Sequence, residues 1–423
     1  MAAHLYRRCA FGGTIHEIQL AENSGLEKTI DLVLDKTNDS AMESEMATAG
    51  RLVTGGSDSK RLAAWWLLRM IKTPCPFLEK MTLFWHGHFA TGADKVMDSR
   101  AMFRQNQLLR KHALGRFEPM VKQISRNVAM LVYLDSEENR KTRPNENYAR
   151  ELLELFCLGP GNYSENDIKE IARCFTGWEV RKGKFYFNEQ QHDPRTKSFL
   201  GARGKFDGND AIDVVLRQRA SSLFIAKKLI RYFVSDELNI SNEFAAPVAD
   251  RLRDTDFDIR HAVRMILSSN VFFSDVAVGR KIKSPVELAI GFLRFFDAST
   301  NVAELGQRLA AVGQLPLYPP NVKGWAGGRN WINASTILAR ANMISGILAN
   351  DKTKFKHGSL QEWAKSNVIS DFQGSLRWMD EYLLASRLTD QMRGKLEQIA
   401  VESNRDPIRI LSTLAALPEF QLN

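Results

Sequence analysis

Residues 77–90 read FLEKMTLFWHGHFA, and their spacing decides the fold class. Phe77, Met81, Phe84 and His88 recur at intervals of three and four, and so do Glu79, Thr82 and His86. That period is helical, because side chains three or four apart share one helix face, whereas a strand alternates every second residue. The apolar row predicts a core-facing stripe that includes His88. The second row predicts polar surroundings for His86.

The same period extends outward. Residues 61–71 (RLAAWWLLRMI), 101–114, 145–157, 164–175, 221–234, 258–268, 284–297, 335–349 and 375–386 all read as amphipathic helices. Ser164 precedes Glu165 and Asp167, acids that favour a first turn. Ser284-Pro285-Val286-Glu287 offers an N-cap, a first-turn proline and an acid at the third position. One segment departs from this pattern. In 177–206, Trp178-Glu179-Val180 and Phe185-Tyr186-Phe187 flank a Lys-Gly-Lys turn, and Ser198-Phe199-Leu200 follows a polar loop. These runs predict a small β-meander. The expected fold is mainly α: a large single helical domain with a small inserted β-meander. Residues 1–349 form its core, and 350–423 a C-terminal helical subdomain packed on it.

Composition narrows the class. With 423 residues, 44% hydrophobic and 25% charged, the chain is neither disordered nor a collagen-like fibre nor a disulfide-rich miniature. Cys9, Cys75, Cys157 and Cys174 form no C-x-x-C pair, so a zinc ribbon and a thioredoxin-like motif are excluded. Buried thiols are expected at Cys157 and Cys174. No stretch approaches the roughly 18 apolar residues of a spanning helix. The start, MAAHLYRRCAFGG, lacks the apolar run of a signal peptide. The expectation is a cytoplasmic protein as written, exported if a leader has been trimmed.

The net charge of +9 is uneven: residues 51–144 carry 17 Lys/Arg against 8 Asp/Glu, and residues 1–50 carry 4 against 8. In the basic stretch Arg100, Arg104, Arg116, Lys122 and Arg126 stand singly, with no basic run. A nucleic-acid groove is therefore disfavoured; a solvated helix face or attraction for an anionic ligand is the better reading.

Four segments can carry chemistry. His86 and His88 flank Gly87; on a strand both would face one metal, but on a helix two residues turn them about 200° apart. A divalent metal ion is the candidate cofactor, with His86, His88 and Glu154 as ligands. A satisfied core His88 beside a separate His86 is the alternative. Residues 145–156, NENYARELLELF, form the densest polar cluster, with Glu146, Arg150 and Glu154 at helical spacing as a Glu–Arg–Glu ladder. Solvated, such a ladder contributes only tenths of a kcal/mol. Buried, it would let Arg150 orient Glu151 as a base or ligand, with Asn145 and Glu146 contacting substrate. His192-Asp193 in the polar loop reads as an acid–base element or as a turn with a surface histidine. Residues 313–328 form a stiff extended loop in which Lys323 and Trp325 are candidate ligand contacts, as a binding lip or a clamp across helices. There is no Walker loop, G-x-S-x-G elbow, H-E-x-x-H or dinucleotide fingerprint.

FWHGHFA, PNENYARELLELFCLG, IARCFTGW, HDPRTKSFLG, KSPVE and PPNVKGWAGGRNWI resemble, in order, the signature blocks of a large bacterial family, domain of unknown function 1800. The resemblance covers about residues 2–421. It maps onto Trp85, His86, His88 and Phe89; Asn145 through Glu151, and Glu154; His192 and Asp193; and Pro319 through Trp325. It implies no reaction. The residues themselves suggest a hydrolase-like enzyme, metal-dependent or acid–base, acting on a small-molecule or polymer substrate. The alternative is a non-catalytic binding or assembly protein that engages a protein partner and whose buried charges are structural.

Overall fold

The computed structural model describes all residues other than 36–39, 56–57, 357, 361, 364–371 and 385–387. The protein is 65% helical, and among the described residues strands occur only in two-stranded pairs, so it is mainly α with small β insertions. Helices form where the period places them, among them Lys60–Lys72, Pro76–His88, Ser99–His112, Glu165–Cys174, Arg219–Phe233 and Pro285–Phe295. Ser164 with Asp167, and Ser284 with Glu287, close reciprocal capping boxes, and Pro285 occupies the first turn. Such a cap contributes about 1 kcal/mol by satisfying amides that the helix start leaves unpaired. The 375–386 segment divides into a helix, Phe372–Trp378, and a π turn, Met379–Leu383; its end lies outside the described residues.

The β segment is two hairpins rather than one meander. β1 (Trp178–Arg181) pairs antiparallel with β2 (Lys184–Phe187), and β3 (Lys197–Phe199) pairs with β4 (Ala202–Gly204). The reason is local. β2 is largely exposed, and among the described residues it pairs with β1 alone. The amides of Ser198 and Leu200 donate instead to Glu170 and Asp167 of the Glu165–Cys174 helix, each at 2.8 Å. A third pair joins β5 (Ala298–Ser299) to β6 (Lys354–Phe355).

Apolar side chains gather in two cores. One contains Trp85, Phe89, Phe117 and Phe156; the other contains Trp66, Val286, Phe292 and Leu414. The Pro76–His88 helix stands between them, giving Phe77, Met81 and Trp85 to the first and Leu83 to the second. Its polar row is therefore buried too: Glu79, Lys80, Thr82 and His86 are each at most 1% exposed.

Part of the basic surplus of 51–144 is met by acids, both within the stretch and beyond it. Lys95 reaches Asp135 at 2.9 Å, and Lys122 reaches Asp213 at 2.7 Å. Arg126 lies over the Trp178 ring, 5.3 Å from its centroid. All four cysteines are buried free thiols.

Candidate functional site

A buried carboxylate needs partners, and Glu79 has three. Arg69 Nε and Arg110 Nε donate to Oε1 at 2.5 and 2.6 Å, and Trp66 Nε1 donates to Oε2 at 2.8 Å. Burial alone would raise its pKa, but the charges and hydrogen bonds of Arg110 and Arg69 bring it down to about 2. Lys80 pairs with the buried Glu287 at 2.5 Å. Neither pair was legible as such, because both look like the solvated face of an amphipathic helix.

His86 is the next member of the buried row. Its Nε2 accepts the N–H of Leu317 at 3.0 Å, and its ring meets Trp66 edge-on at 5.4 Å and Trp325 at 5.6 Å. The expected polar surroundings are thus an aromatic cage with one backbone donor. Burial pulls the His86 pKa down to about 4, so the ring is neutral. The 317–325 strap crosses the end of this helix. Leu317 O accepts from Ala93 N–H at 2.9 Å, and Gly324 lies so close to Gly87 that a Cβ there would sit 2.3 Å from the Gly87 oxygen. Gly324 also has φ of 74°, which glycine tolerates best. The loop is therefore a clamp across helices. Its far side, between Trp325 and Trp331, lines a cavity of about 320 Å³.

The helix continues through His88, so the two imidazoles point apart. His88 Nε2 donates to the Phe156 carbonyl at 3.0 Å, and Nδ1 accepts from Lys228 Nζ at 3.0 Å. Lys228 also donates to the Leu155 carbonyl at 3.0 Å. Burial pulls the Lys228 ammonium down to about 8, and burial together with the Lys228 charge holds His88 well below the usual histidine range. Lys228 belongs to the Arg219–Phe233 helix, where nothing in its spacing marks it out.

The two capped carbonyls end a widened turn. Asn147–Glu151 is α-helical, but Leu152–Cys157 is a π turn, closed by Leu158 N–H to Leu153 O at 3.0 Å. A π turn shifts the angular period, so the i, i+4 spacing fails beyond Glu151. Arg150 consequently pairs with Glu146 at 3.3 Å and Glu165 at 2.9 Å, and the Glu–Arg–Glu ladder loses its third member. Glu154 instead accepts from the Tyr163 hydroxyl at 3.4 Å.

Glu151 is half-buried and has no hydrogen bond or ion pair among the described residues. Burial raises its pKa, Glu154 raises it further, and Lys323 and Arg150 oppose the shift. Lys323 is exposed on the strap. Three blocks therefore converge: the end of the Pro76–His88 helix, the π turn and the strap.

The remaining candidates are held elsewhere. Asn145 Nδ2 donates to Asp135 O at 2.9 Å, and its Oδ1 accepts from Asn147 N–H at 3.0 Å, which ties the turn before the helix. The Asp193 carboxylate is gripped by Arg195 and Arg173, each at 2.8 Å, and these bonds hold it far below the usual carboxylate range. His192 Nδ1 lies 3.0 Å from Thr176 O. None of the hydrogen bonds or ion pairs of His192 or Asp193 among the described residues reaches 146–157.

The proposed metal ligands do not fit a metal. His86 Nε2 and both His88 nitrogens are engaged on opposite sides of one helix. Among the described residues no three His, Cys, Asp or Glu side chains gather as a shell. No described helix is long and apolar enough to cross a membrane.

Neither a curated protein nor a solved structure matches the chain. The family model for DUF1800, a protein family of unknown function, matches residues 4–422. It spans every element that builds the convergence of helix end, π turn and strap, and the chain belongs to that family.

Proposed function

We propose that the protein is an acid–base enzyme of hydrolytic type, working where the π turn faces Lys323. The observation that carries this reading is the state of Glu151: half-buried, its carboxylate without a hydrogen bond or ion pair among the described residues, and near enough to Glu154 and Lys323 to feel their charges. Arg150, Asp193, His86 and His88 are each spent on contacts within the chain. A carboxyl with raised proton affinity is a stronger base than an ordinary carboxylate. Glu151 would take a proton from an attacking water and return it to the leaving group. Glu154 keeps the proton affinity of Glu151 high, and Lys323 offers positive charge to an oxygen that becomes anionic.

The test is a panel of p-nitrophenyl esters, phosphates and glycosides, run with the full chain and with Glu151→Gln. The expected result is turnover of at least one class, lost in the variant at unchanged melting temperature. Equal turnover by the variant would overturn the assignment.

A second reading is favoured by the Glu79–Arg69–Arg110 cluster, a buried charge network that fixes helix register without facing solvent. It makes the protein a non-catalytic binding or assembly module. A stoichiometric partner captured by the intact chain, with no turnover on the panel, would favour it.

A further inference from the structure

A recess of about 680 Å³, lined by no residue of the π turn, lies between the start of the Ile15–Ser24 helix, the ends of Lys60–Lys72 and Pro285–Phe295, and the β5–β6 pair. Its volume lies within the range of small-ligand pockets. Four cations line it, Lys72, Arg294, Lys354 and Lys356, against two carboxylates, Glu17 and Asp297.

Both carboxylates are already used. Glu17 accepts from the Thr14 N–H at 3.0 Å and the Thr14 hydroxyl at 3.2 Å, closing the helix cap. Asp297 pairs with Lys356 at 2.7 Å. Among the described residues the other three cations form no ion pair. Lys72 is exposed and forms no ion pair among the described residues. Lys354 Nζ has a carbonyl, Asp351 O at 3.1 Å. One arm of Arg294 caps the end of the Lys60–Lys72 helix at Ile71 O and Thr73 O, 3.0 and 2.9 Å away. Its Nε is buried without a hydrogen bond. Helix capping explains that one arm; it does not explain two further lysines from separate segments converging on the same recess. Phe295, Phe355 and Trp363 supply an aromatic wall to the same space.

We infer that this recess binds a small organic anion carrying a ring. Its carboxylate or phosphate would meet Lys72, Lys354 and Arg294, and its ring the wall of Phe355 and Trp363. Convergent cations over a fixed guanidinium select an oxyanion, and the apolar wall selects a ring over a free inorganic ion. The site is separate from Glu151, and the inference stands whether or not the protein is a hydrolase.

Phenylphosphonate, which lacks a hydrolysable ester, is the probe, titrated calorimetrically into the full chain at low salt. Saturable binding is expected, weakened about tenfold or more in the double variant Lys72→Gln/Lys354→Gln, a loss of about one decade in Kd. Both substitutions are at exposed positions, so the fold is retained, which a melting curve checks. Absence of saturable binding, equal binding by the double variant, or equally tight binding of uncharged phenol would each overturn the inference.

Discussion

His86 Nε2 accepts the backbone N–H of Leu317 at 3.0 Å, across 231 residues of chain. Leu317 is buried with φ of 71°, a conformation that costs a non-glycine residue about 1–2 kcal/mol. The imidazole therefore satisfies the amide of a strained residue and seats the strap that carries Lys323.

Replacing His86 by alanine leaves that amide buried and unpaired and opens a gap between Trp66 and Trp325. A loss of about 2–5 kcal/mol is expected in urea unfolding, the sum of an unmet donor and a cavity. Hydrogen exchange at the Leu317 amide should accelerate in the same variant.

Buried neutral histidines make the fold acid-sensitive. His4 and His86 are drawn down from 6.5 to about 2 and about 4, chiefly by burial, and His88 shifts in the same direction. Below pH 6.5 the unfolded chain binds protons that the folded chain refuses. Stability contributed by these groups is thus present above 6.5 and falls as pH drops toward 4. For His86 the loss approaches about 3 kcal/mol at pH 4. Denaturant midpoints measured from pH 7.5 to 4.5 check the slope, and His86→Gln should flatten part of it.

Glu79→Gln removes the charge between two buried arginines. Breaking a buried pair by deleting one partner costs about 3–5 kcal/mol, because the remaining charges lose their compensation. A large drop in thermal midpoint is expected, in contrast to Arg150→Gln, whose pairs with Glu146 and Glu165 lie at the surface where solvent screens them, so its midpoint should barely move.

Gly324→Ala drives a Cβ toward the Gly87 oxygen and strains a positive φ. The strap must lift, with a stability loss of about 1–3 kcal/mol. Faster proteolysis within 313–328 would report the displacement.

Glu151→Gln should behave oppositely. No hydrogen bond or ion pair among the described residues is lost and repulsion with Glu154 is relieved, so stability should stay within about 0.5 kcal/mol of the parent. Unfolding at ambient temperature would show Glu151 to be structural.

Much of this was legible in the residues. The rows Phe77–Met81–Phe84–His88 and Glu79–Thr82–His86 placed a helix over 77–90, which in the structure ends at His88, and its period turned the two histidines apart. Ser164 and Ser284 marked helix starts that form as read. The π turn was not legible: LLELFC looks like ordinary helix until Lys228 and His88, from other segments, take up its last carbonyls. The expected strands form, but as two hairpins rather than one meander for a similar reason, since the acids that claim the β3 edge belong to a preceding helix.

Period and capping act over a few residues, so the sequence by itself determined where the helices run and how they start. Whether a polar row meets water or a second core is settled by what packs on it, and that depends on segments hundreds of residues away. The tertiary structure alone buried Glu79, bound His86 to Leu317 and tied Asp193 to two arginines. Among the described residues it left the Glu151 carboxylate without a hydrogen bond or ion pair, because only packing decides which charges find partners.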